Sequence, residues 1–309
     1  MKIEQGFCSP NAKDNGPTCL SKNSLKILID TYNKSKKNNK NRIKYYDNNS
    51  QLELFKKLDY RMKKLTKGSG KYWFWPDIIN KLTPINFDNI KKIQKFELRP
   101  EYPNSWIQKK NTWLSNYDID HIMVQYNLNK KFKYKYIGTF CIDFALKNKK
   151  NECLYSNFCN IDILKDYLKY NILYIGFITN LDKHDEPGSH WTSTFINLNK
   201  NSKSYGAYYY DSLTSKIPKY INDFLLEIKK QAITINPHLK FNIKYNTVQH
   251  QYQNTECGMF SMIYQIRWIN KLFNNKDTTF KEIIENKKIN DKSANDLRNS
   301  IYRPSIKQL

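Results

Sequence analysis

The sequence predicts an α+β fold in which a central, mostly antiparallel or mixed sheet is flanked by helices. Three observations predict it: strand-like runs recur between residues 136 and 248, helical runs lie among them, and a largely apolar helix follows Cys257. In residues 259–269 apolar side chains recur at three- and four-residue spacing, which is typical of a buried helix. Helices and strands in this order indicate an α+β layer architecture.

The first hundred residues differ from this pattern and predict a helical extension, 1–100, in front of a main domain, 101–309. Amphipathic runs predict helices near residues 25–32 and 52–65. Residues 34–41 are polar and basic and predict a solvated loop. The aromatic cluster at 72–76 is expected to be a core plug that joins the extension to the main domain. A recognition surface is the alternative.

The elements of the main domain follow in order. Trp113-Leu114 precedes a helical pattern that reaches residue 126. Runs rich in β-branched and aromatic residues, bounded by polar turns, predict strands at 136–142, 172–179, 191–198, 205–210 and 241–248. Apolar spacing predicts helices at 161–170 and 218–233, and one or two short polar helices within 280–301.

The chain of 309 residues carries 52 Lys and Arg against 28 Asp and Glu, a formal net charge of +24. Such a charge can mark a surface for nucleic acid. Alternatively, Lys, Asn, Ile and Tyr are all abundant, and A+T-rich codons specify all four, so biased base composition would also raise the Lys count. No short cluster of Arg and Lys interleaved with aromatic residues stands out as a nucleic-acid motif.

The cysteines are sparse and form no C-x-x-C pair, which argues against zinc ribbons and thioredoxin-like motifs. The first residues lack the apolar core of a signal peptide, and no run of about 18 apolar residues exists to span a membrane. We therefore expect a soluble protein that is not secreted, made in a reducing cytosol, with free thiols. The six cysteines are at positions 8, 19, 141, 153, 159 and 257.

Cys257 has the position of a nucleophile. It lies in Gln-Asn-Thr-Glu-Cys-Gly-Met-Phe, where the apolar helix begins. The positive end of the helix dipole and the unpaired N–H groups there stabilise a thiolate. Gly258 would allow a tight strand-to-helix turn and the close approach of a substrate backbone. The position predicts a nucleophile, provided that a base lies elsewhere in the chain.

A cysteine nucleophile needs an imidazole that takes the thiol proton and later protonates the leaving group. His190, in Gly-Ser-His-Trp-Thr, stands at the head of an alternating strand and is the candidate base. His184 lies in the polar loop before it, and His250 is near Cys257 only along the sequence. His121 falls in a helix that is expected to pack, and His238 follows a proline.

The base in turn needs an acceptor that orients it. Asp211 ends the strand Tyr-Tyr-Tyr-Asp-Ser, 21 positions after His190, which is enough for a strand, a turn and an adjacent antiparallel return. We expect Asp211 to lie beside His190. The alternative is an ordinary turn or helix cap.

The remaining requirement is a set of N–H donors for the oxyanion of a tetrahedral intermediate. The backbone N–H of Cys257 is one candidate, and a nearby glutamine side chain is another. Gln249, Gln251 and Gln253 all precede the cysteine. As a group they could instead be polar loop residues.

Together these motifs resemble the ubiquitin-like-protein (SUMO) proteases and their adenovirus-type relatives, over about residues 105–275. The resemblance is carried by the order His190-Trp191, a strand ending in Asp211, and a glutamine before Glu-Cys-Gly. Trp113-Leu114 matches the segment that opens the family's catalytic domain, although Ser-Asn follows it here where the family usually has Asn-Asp. The resemblance implies a papain-like or adenain-like cysteine protease core within the catalytic domain, 101–309.

The resemblance also implies roles for further residues. Trp113 and Trp191 would close a clamp over a Gly-Gly substrate tail, the alternative being that both are core tryptophans. The family's oxyanion glutamine usually precedes the cysteine by six positions, which implies Gln251, with Gln253 as the alternative.

An N-terminal extension on a compact catalytic domain is most similar to the large-DNA-virus members of the family. That likeness implies a thiol endopeptidase that cleaves viral structural or core precursors after Gly-Gly-like sites, in the virion or the host cytoplasm. No metal and no cofactor are expected, although nucleic acid bound nonspecifically through the basic surface could stimulate it. The alternatives are an isopeptidase that removes SUMO or ubiquitin from host conjugates, and a non-enzymatic basic packaging protein that retains the fold.

Overall fold

The computed structural model describes residues 7–308 except for gaps at 13–15, 17, 37–38, 110–111, 151, 156–157, 159, 275–276 and 286–288. The chain divides into two compact units: the first comprises residues 1–108 with 299–309, and the second residues 109–298. This division differs from the expected boundary after residue 100. Within the first unit Trp106 packs edge-on against Tyr302, with ring centroids 4.9 Å apart, and Arg303 binds Asp77 at 2.8 Å. These contacts join residues near 106 and 302 to the first unit.

The described part of the first unit is helical. Ser21 caps its first helix by accepting the Ser24 N–H, and Ser50 and Glu53 form a capping box at the second. Both helices were predicted, whereas the third and fourth were not. Pro76 lies in the first turn of its helix, where a missing N–H costs nothing. The helices are α1 (Lys22–Lys34), α2 (Gln51–Leu65), α3 (Trp75–Leu82), α4 (Phe87–Glu97) and α5 (Ser105–Gln108).

The aromatic cluster at 72–75 lies in the core of the first unit. Trp75 is fully buried, its indole N–H donates to the Gly70 carbonyl, and its ring packs against Phe55 with centroids 5.1 Å apart. Tyr72 packs edge-on against the same Phe55. The cluster is therefore part of the core of the first unit and not a recognition surface, and its expected role as a junction with the main domain stays a prediction.

The prediction of free thiols throughout is wrong. Cys8 and Cys19 form a disulfide, with their Cα atoms 5.0 Å apart, and Cys153 is also disulfide-bonded. The pairing of Cys8 with Cys19 depends on the path of the chain, because residue 8 forms an antiparallel bridge with Leu98 and residue 19 lies just before α1. Cys141 and Cys257 are free thiols. Cys159 lies outside the described residues.

The second unit contains a five-stranded sheet and most of the remaining helices. Its strands are β1 (Tyr134–Cys141), β2 (Tyr174–Asn180), β3 (Trp191–Asn197), β4 (Gly206–Tyr210) and β5 (Asn242–Tyr245). The helices that follow α5 are α6 (Asn116–Met123), α7 (Ile163–Asp166), α8 (Lys219–Ile235), α9 (Cys257–Phe273), α10 (Phe280–Ile284) and α11 (Asp291–Ile301). Short 3₁₀ turns lie at Asn39–Asn41, Tyr72–Phe74, Pro84–Asn86, Val124–Leu128, Lys130–Phe132, Leu168–Tyr170 and Ile306–Gln308.

The single helix predicted at 161–170 is in fact α7 followed by a 3₁₀ turn, with Asp162 capping α7. Along the described ranges we find no helix with both the length and the apolar character that crossing a bilayer requires.

The sheet order is β1-β2-β3-β4-β5. The two central pairings, β2 with β3 and β3 with β4, are antiparallel, and the two outer pairings are parallel. The sheet is therefore mixed and flanked by helices, which confirms the predicted fold class. All five strands lie within two or three residues of the predicted bounds, except that β5 ends earlier.

Helix α9 packs across β3 and so determines where Cys257 lies. Its buried Gln265 donates to the Ser193 hydroxyl at 2.8 Å and to the Thr194 carbonyl at 2.7 Å. Nearer the start of the helix, the Ser261 hydroxyl donates to the Trp191 carbonyl at 3.1 Å. The first turn of α9 is thereby held at the head of β3, which His190 precedes.

Candidate active site

A pocket of about 340 Å³ in the second unit is lined by Cys257. Trp113 and Trp191 line it as well, together with the end of β1 at Cys141 and the loop at 181–189 that leads to His190. The pocket therefore brings together residues that are more than 140 positions apart in the sequence.

Cys257 and His190 meet beside this pocket. Cys257 is the first residue of α9, and its free thiol is largely buried. The side chains of His190 and Cys257 are close enough to share a hydrogen bond. Since α9 is tied to the head of β3, the thiol and the imidazole are held by two regular elements. Rigid elements of this kind hold a reacting pair more accurately than loops do.

Asp211 lies on the other side of the imidazole. The Nε2 of His190 binds Asp211 Oδ1 at 2.7 Å, which leaves Nδ1 as the ring nitrogen for the thiol. The carboxylate is fully buried and also accepts the N–H groups of Leu213 at 2.8 Å and Ser215 at 3.1 Å. The antiparallel register of β3 and β4, in which Ser193 faces Tyr210, places Asp211 beside the residue that precedes β3.

The electrostatics of the three groups favour a charged imidazole. Burial opposes protonation of His190, but hydrogen bonds to Asp211 and Cys257, and their negative charges, raise its pKa from 6.5 to about 9. Burial likewise acts to raise the pKa of Asp211, yet the hydrogen bond and the charge of His190 lower it overall. The arrangement places a protonated imidazole between a carboxylate and a thiol, both of which share hydrogen bonds with it.

Asn246, one residue after β5, fixes the backbone of Asp211. Its buried side chain accepts the Asp211 N–H at 2.8 Å and donates to the Asp211 carbonyl at 2.7 Å. Sequence analysis did not select Asn246. Its position directly after β5 could have indicated it, because β4 and β5 are parallel and their carboxyl ends therefore meet at one edge of the sheet.

The three candidate glutamines differ in burial. Gln251 is buried, accepts the Ser212 hydroxyl at 2.6 Å, and donates from Nε2 to the Gln253 carbonyl at 2.6 Å. Its amide has a second N–H, which no described residue accepts. Gln249 and Gln253 are exposed. Burial thus favours Gln251, and its role at the oxyanion stays a prediction.

Trp113 and Trp191 are both held at the pocket by their indole N–H groups. Trp113, which is 50% exposed, donates to the Asn254 carbonyl at 2.7 Å, and Trp191 donates to the Leu114 carbonyl at 2.9 Å. Neither is a fully buried core tryptophan. A Cβ on Gly258 would lie 3.0 Å from the Leu114 side chain, so the glycine allows Leu114 to pack closely, and the approach of a substrate backbone there stays a prediction.

Residues 143–307, just over half of the chain, match the model of the Ulp1 protease family, C-terminal catalytic domain. The chain belongs to the Ulp1 protease family. Its activity is therefore that of a cysteine protease, a hydrolase. The matched segment includes His190, Asp211 and Cys257, whereas Trp113 precedes it.

Individual relatives of this Ulp1-family chain come from large DNA viruses. A protein of Acanthamoeba polyphaga mimivirus, which is named as a putative thiol protease, is 27% identical over 303 residues, 96% of this chain and 93% of that protein. A cysteine protease of African swine fever virus is 23% identical over 163 residues, 49% of this chain and 56% of that protein. A crystal structure of the African swine fever virus protease matches with a TM-score of 0.62 at 17% identity, covering 98% of both chains, and shows the shared fold.

Sequence analysis missed one charged residue beside the site of this Ulp1-family protease. Arg298 of α11 is buried and binds Glu256, the residue before Cys257, with N–O distances of 3.1 and 3.2 Å. The same guanidinium donates to the carbonyls of Thr255 at 3.1 Å and Thr112 at 2.9 Å. Arg298 therefore ties the start of α9 to the segment that carries Trp113. Nothing local in the sequence marks it, because its partners are more than 40 positions away.

The other histidines lie elsewhere in the fold of this family member. The Nδ1 of His184 binds the buried carboxylate of Asp143 at 2.6 Å, which anchors the loop before His190. His250 is buried and binds the Tyr210 hydroxyl at 2.8 Å. The remaining two, His121 and His238, are exposed.

Proposed function

We propose that this Ulp1-family protease is a thiol endopeptidase that cleaves after Gly-Gly-like sites, with Cys257, His190 and Asp211 as its catalytic triad. One observation carries the proposal: a single pocket presents a free thiol that shares a hydrogen bond with an imidazole, which in turn binds a buried carboxylate. Both tryptophans line the same pocket.

In the proposed mechanism the Cys257 thiolate adds to the carbonyl carbon of the scissile peptide bond. The Cys257 N–H and the Gln251 amide donate to the oxyanion. The protonated His190 then gives its proton to the leaving nitrogen, the C–N bond breaks, and a thioester remains. His190 next takes a proton from water, the hydroxide adds to the thioester, and the acid leaves as the thiolate re-forms. This chemistry needs no metal and no cofactor.

The specificity for glycine is proposed to come from Trp113 and Trp191. Two flat apolar walls admit a backbone without side chains and exclude a Cβ. We expect kcat/KM for a fluorogenic peptide ending in Gly-Gly to exceed that for peptides ending in Gly-Ala or Ala-Gly by about 10- to 200-fold. This is the range of discrimination that one extra methyl group produces in a tight site.

Trp113→Ala tests the clamp directly. We expect this variant to lose most of the preference for Gly-Gly, because one wall is removed. Tyr117→Ala is the matched control, since Tyr117 is an exposed aromatic residue of α6 that does not line the pocket. Equal cleavage of the three peptides by the wild type, or undiminished selectivity in Trp113→Ala, contradicts the clamp.

The pH dependence of the rate follows from the raised pKa of His190. The pKa of His190 in the folded protein, about 9, lies above the ordinary histidine value of 6.5, so folding favours the protonated ring. The contribution of protonated His190 to the stability of the fold is complete below about pH 6.5 and is lost as the pH rises through about 9. We expect kcat/KM to persist to about pH 9 and to fall above it. Asp211→Asn removes a carboxylate that raises the pKa of His190, so the alkaline fall of kcat/KM should begin at a lower pH in this variant. An alkaline fall at the same pH in both proteins would argue against the pairing of His190 with Asp211.

The proposed substrates are structural or core precursors of a large DNA virus, cleaved in the virion or the host cytoplasm. The viral origin of the relatives supports this proposal. The relative from one African swine fever virus isolate is named a SUMO-1 cysteine protease, which favours an isopeptidase as the second candidate. Parallel assays on a SUMO C-terminal fluorogenic conjugate and on viral core precursors separate the two. Efficient turnover of the conjugate alone would replace the first candidate with the second.

A further inference from the structure

The first unit has a groove of about 400 Å³ that is lined by cations. We call it the basic groove, and it is formed by Arg42, Lys44, Lys56, Lys57, Tyr60 and Arg61. It belongs to the helical extension, for which the protease mechanism has no role.

Local structure explains why the cations converge. In α2 the residues at 56, 57, 60 and 61 follow helical spacing and share one face, while Phe55 and Met62 are buried on the opposite face. Across the groove, Ile43 is buried and its backbone is held by both ends of the Asn33 amide, at 2.7 and 3.0 Å. The residues on either side of Ile43, Arg42 and Lys44, are exposed and face α2 across the groove.

The charge of the groove is not offset by a carboxylate of any residue that the structure describes. None of its five cations lies within ion-pair distance of an acidic group in the described part of the chain. The nearby acids have other partners: Asp47 binds Lys26 at 2.6 Å, Asp59 binds Lys63 at 2.7 Å, and Glu53 accepts the Ser50 N–H at the start of α2. A concave surface with unopposed positive charge concentrates anions.

Exposed aromatic rings accompany these charges. Tyr60 is 56% exposed, and the Lys64 ammonium lies 4.4 Å from its ring centroid. Tyr46 is also exposed, with the Lys57 ammonium 5.9 Å from its ring. Cations and exposed aromatic rings are the two elements of a surface that binds single-stranded nucleic acid, because phosphates bind the cations while unpaired bases stack on the rings. A duplex offers no unstacked base face to Tyr60.

Biased base composition does not account for the groove. The first unit carries 24 Lys and Arg against 10 Asp and Glu, a net charge of +14, whereas the longer second unit carries 28 against 18, a net charge of +10. Codon bias toward A and T enriches lysine far more than arginine, and the chain has only six arginines. Arg99, Arg298 and Arg303 are buried, and two of the other three line this groove. The planar guanidinium binds phosphate in bidentate fashion.

From these observations we infer that the basic groove binds single-stranded nucleic acid, with Arg42 and Arg61 on phosphates and Tyr60 stacked on a base. This binding site is independent of the protease chemistry and would hold even if the proposed cleavage specificity failed.

The test is the anisotropy of a fluorescent oligothymidylate of about 15 nucleotides, titrated with the full chain over a range of salt concentrations. Arg42→Gln/Arg61→Gln is expected to weaken binding at least about tenfold at low salt. It should also reduce the slope of log K against log salt by about 1.4, as two lost phosphate contacts require. Tyr60→Ala is expected to weaken binding about tenfold with an unchanged slope.

The second unit provides matched controls. Lys169 lies 4.9 Å from the ring of Tyr170, which is 64% exposed, so this pair resembles Lys64 and Tyr60 but does not line the basic groove. Lys169→Gln/Lys230→Gln and Tyr170→Ala should leave binding unchanged. Equal losses in these controls would overturn the inference, as would tighter binding of a duplex or binding of phosphatidylserine vesicles in place of the oligonucleotide. Circular dichroism and urea unfolding curves that match the wild type verify that the groove variants fold.

Discussion

Cys257→Ala is expected to reduce kcat/KM for a Gly-Gly peptide by about 10⁴-fold or more. The thiolate is the atom that bonds to the substrate carbon, and alanine offers no replacement. His190→Ala should cost about as much, because the thiol then lacks its base and the leaving nitrogen its acid. Since the two residues act as a unit, the double variant should be no slower than either single one. The measurement is single-turnover cleavage followed by mass spectrometry.

Cys141→Ala is the control for this experiment. Cys141 is the other free thiol among the described cysteines, and it lines the same pocket as Cys257. Its burial raises its pKa, so it is a poor thiolate and should be dispensable. Iodoacetamide should label Cys257 in the wild type, and much more slowly in His190→Ala. Cleavage that survives Cys257→Ala, or that disappears in Cys141→Ala, would assign the nucleophile to another residue.

Arg298→Met is expected to have the largest effect on stability. It leaves the fully buried Glu256 without its cation, and it also removes donors from the carbonyls of Thr112 and Thr255. Breaking a buried ion pair from one side typically costs about 3–5 kcal/mol. We therefore expect the free energy of unfolding, measured in urea, to fall by about that amount. In the fraction that still folds, KM should rise more than kcat falls, because the Trp113 segment loses a tie to α9.

Two further variants distinguish a positioning role from stability alone. Arg298→Lys keeps the charge but cannot reach three acceptors with a planar fork, so it should recover only part of the stability. Glu256→Leu/Arg298→Met removes both charges and should recover most of it. If KM in this double variant returns to the wild-type value, Arg298 has no positioning role. If Arg298→Met is as stable as the wild type, the ion pair has no structural role.

The sequence predicted the parts of the molecule whose signals are local. The five strands were found because short runs of β-branched and aromatic residues between polar turns have few other uses. The start of α9 was found because a polar segment gives way to apolar residues at helical spacing directly after Cys257. Helices α3 and α4 were not predicted: the aromatic run before Pro76 predicts a core cluster, although Pro76 lies in the first turn of α3, where proline is tolerated.

The residues of the site likewise divide into those with a local signal in the sequence and those without one. Cys257, His190 and Asp211 were selected because each stands at the end of a regular element, in an order that resembles a known family. Asn246 and Arg298 were not, because an asparagine after a strand and an arginine in a polar helix are common everywhere. Their roles come from partners 35 and more positions away. The disulfide of Cys8 with Cys19 was missed for a related reason, since sequence alone does not show which cysteines approach each other.

By itself, then, the sequence determined the five strands, most of the helices and the residue types that a cysteine protease requires, because propensity, periodicity and the ends of elements depend on neighbours along the chain. Only the tertiary structure decided that thiol, imidazole and carboxylate share hydrogen bonds, that Leu114 packs on Gly258, and that five cations line one groove. Those relations depend on strand register and helix packing. Both arise from burial of side chains far apart in the chain.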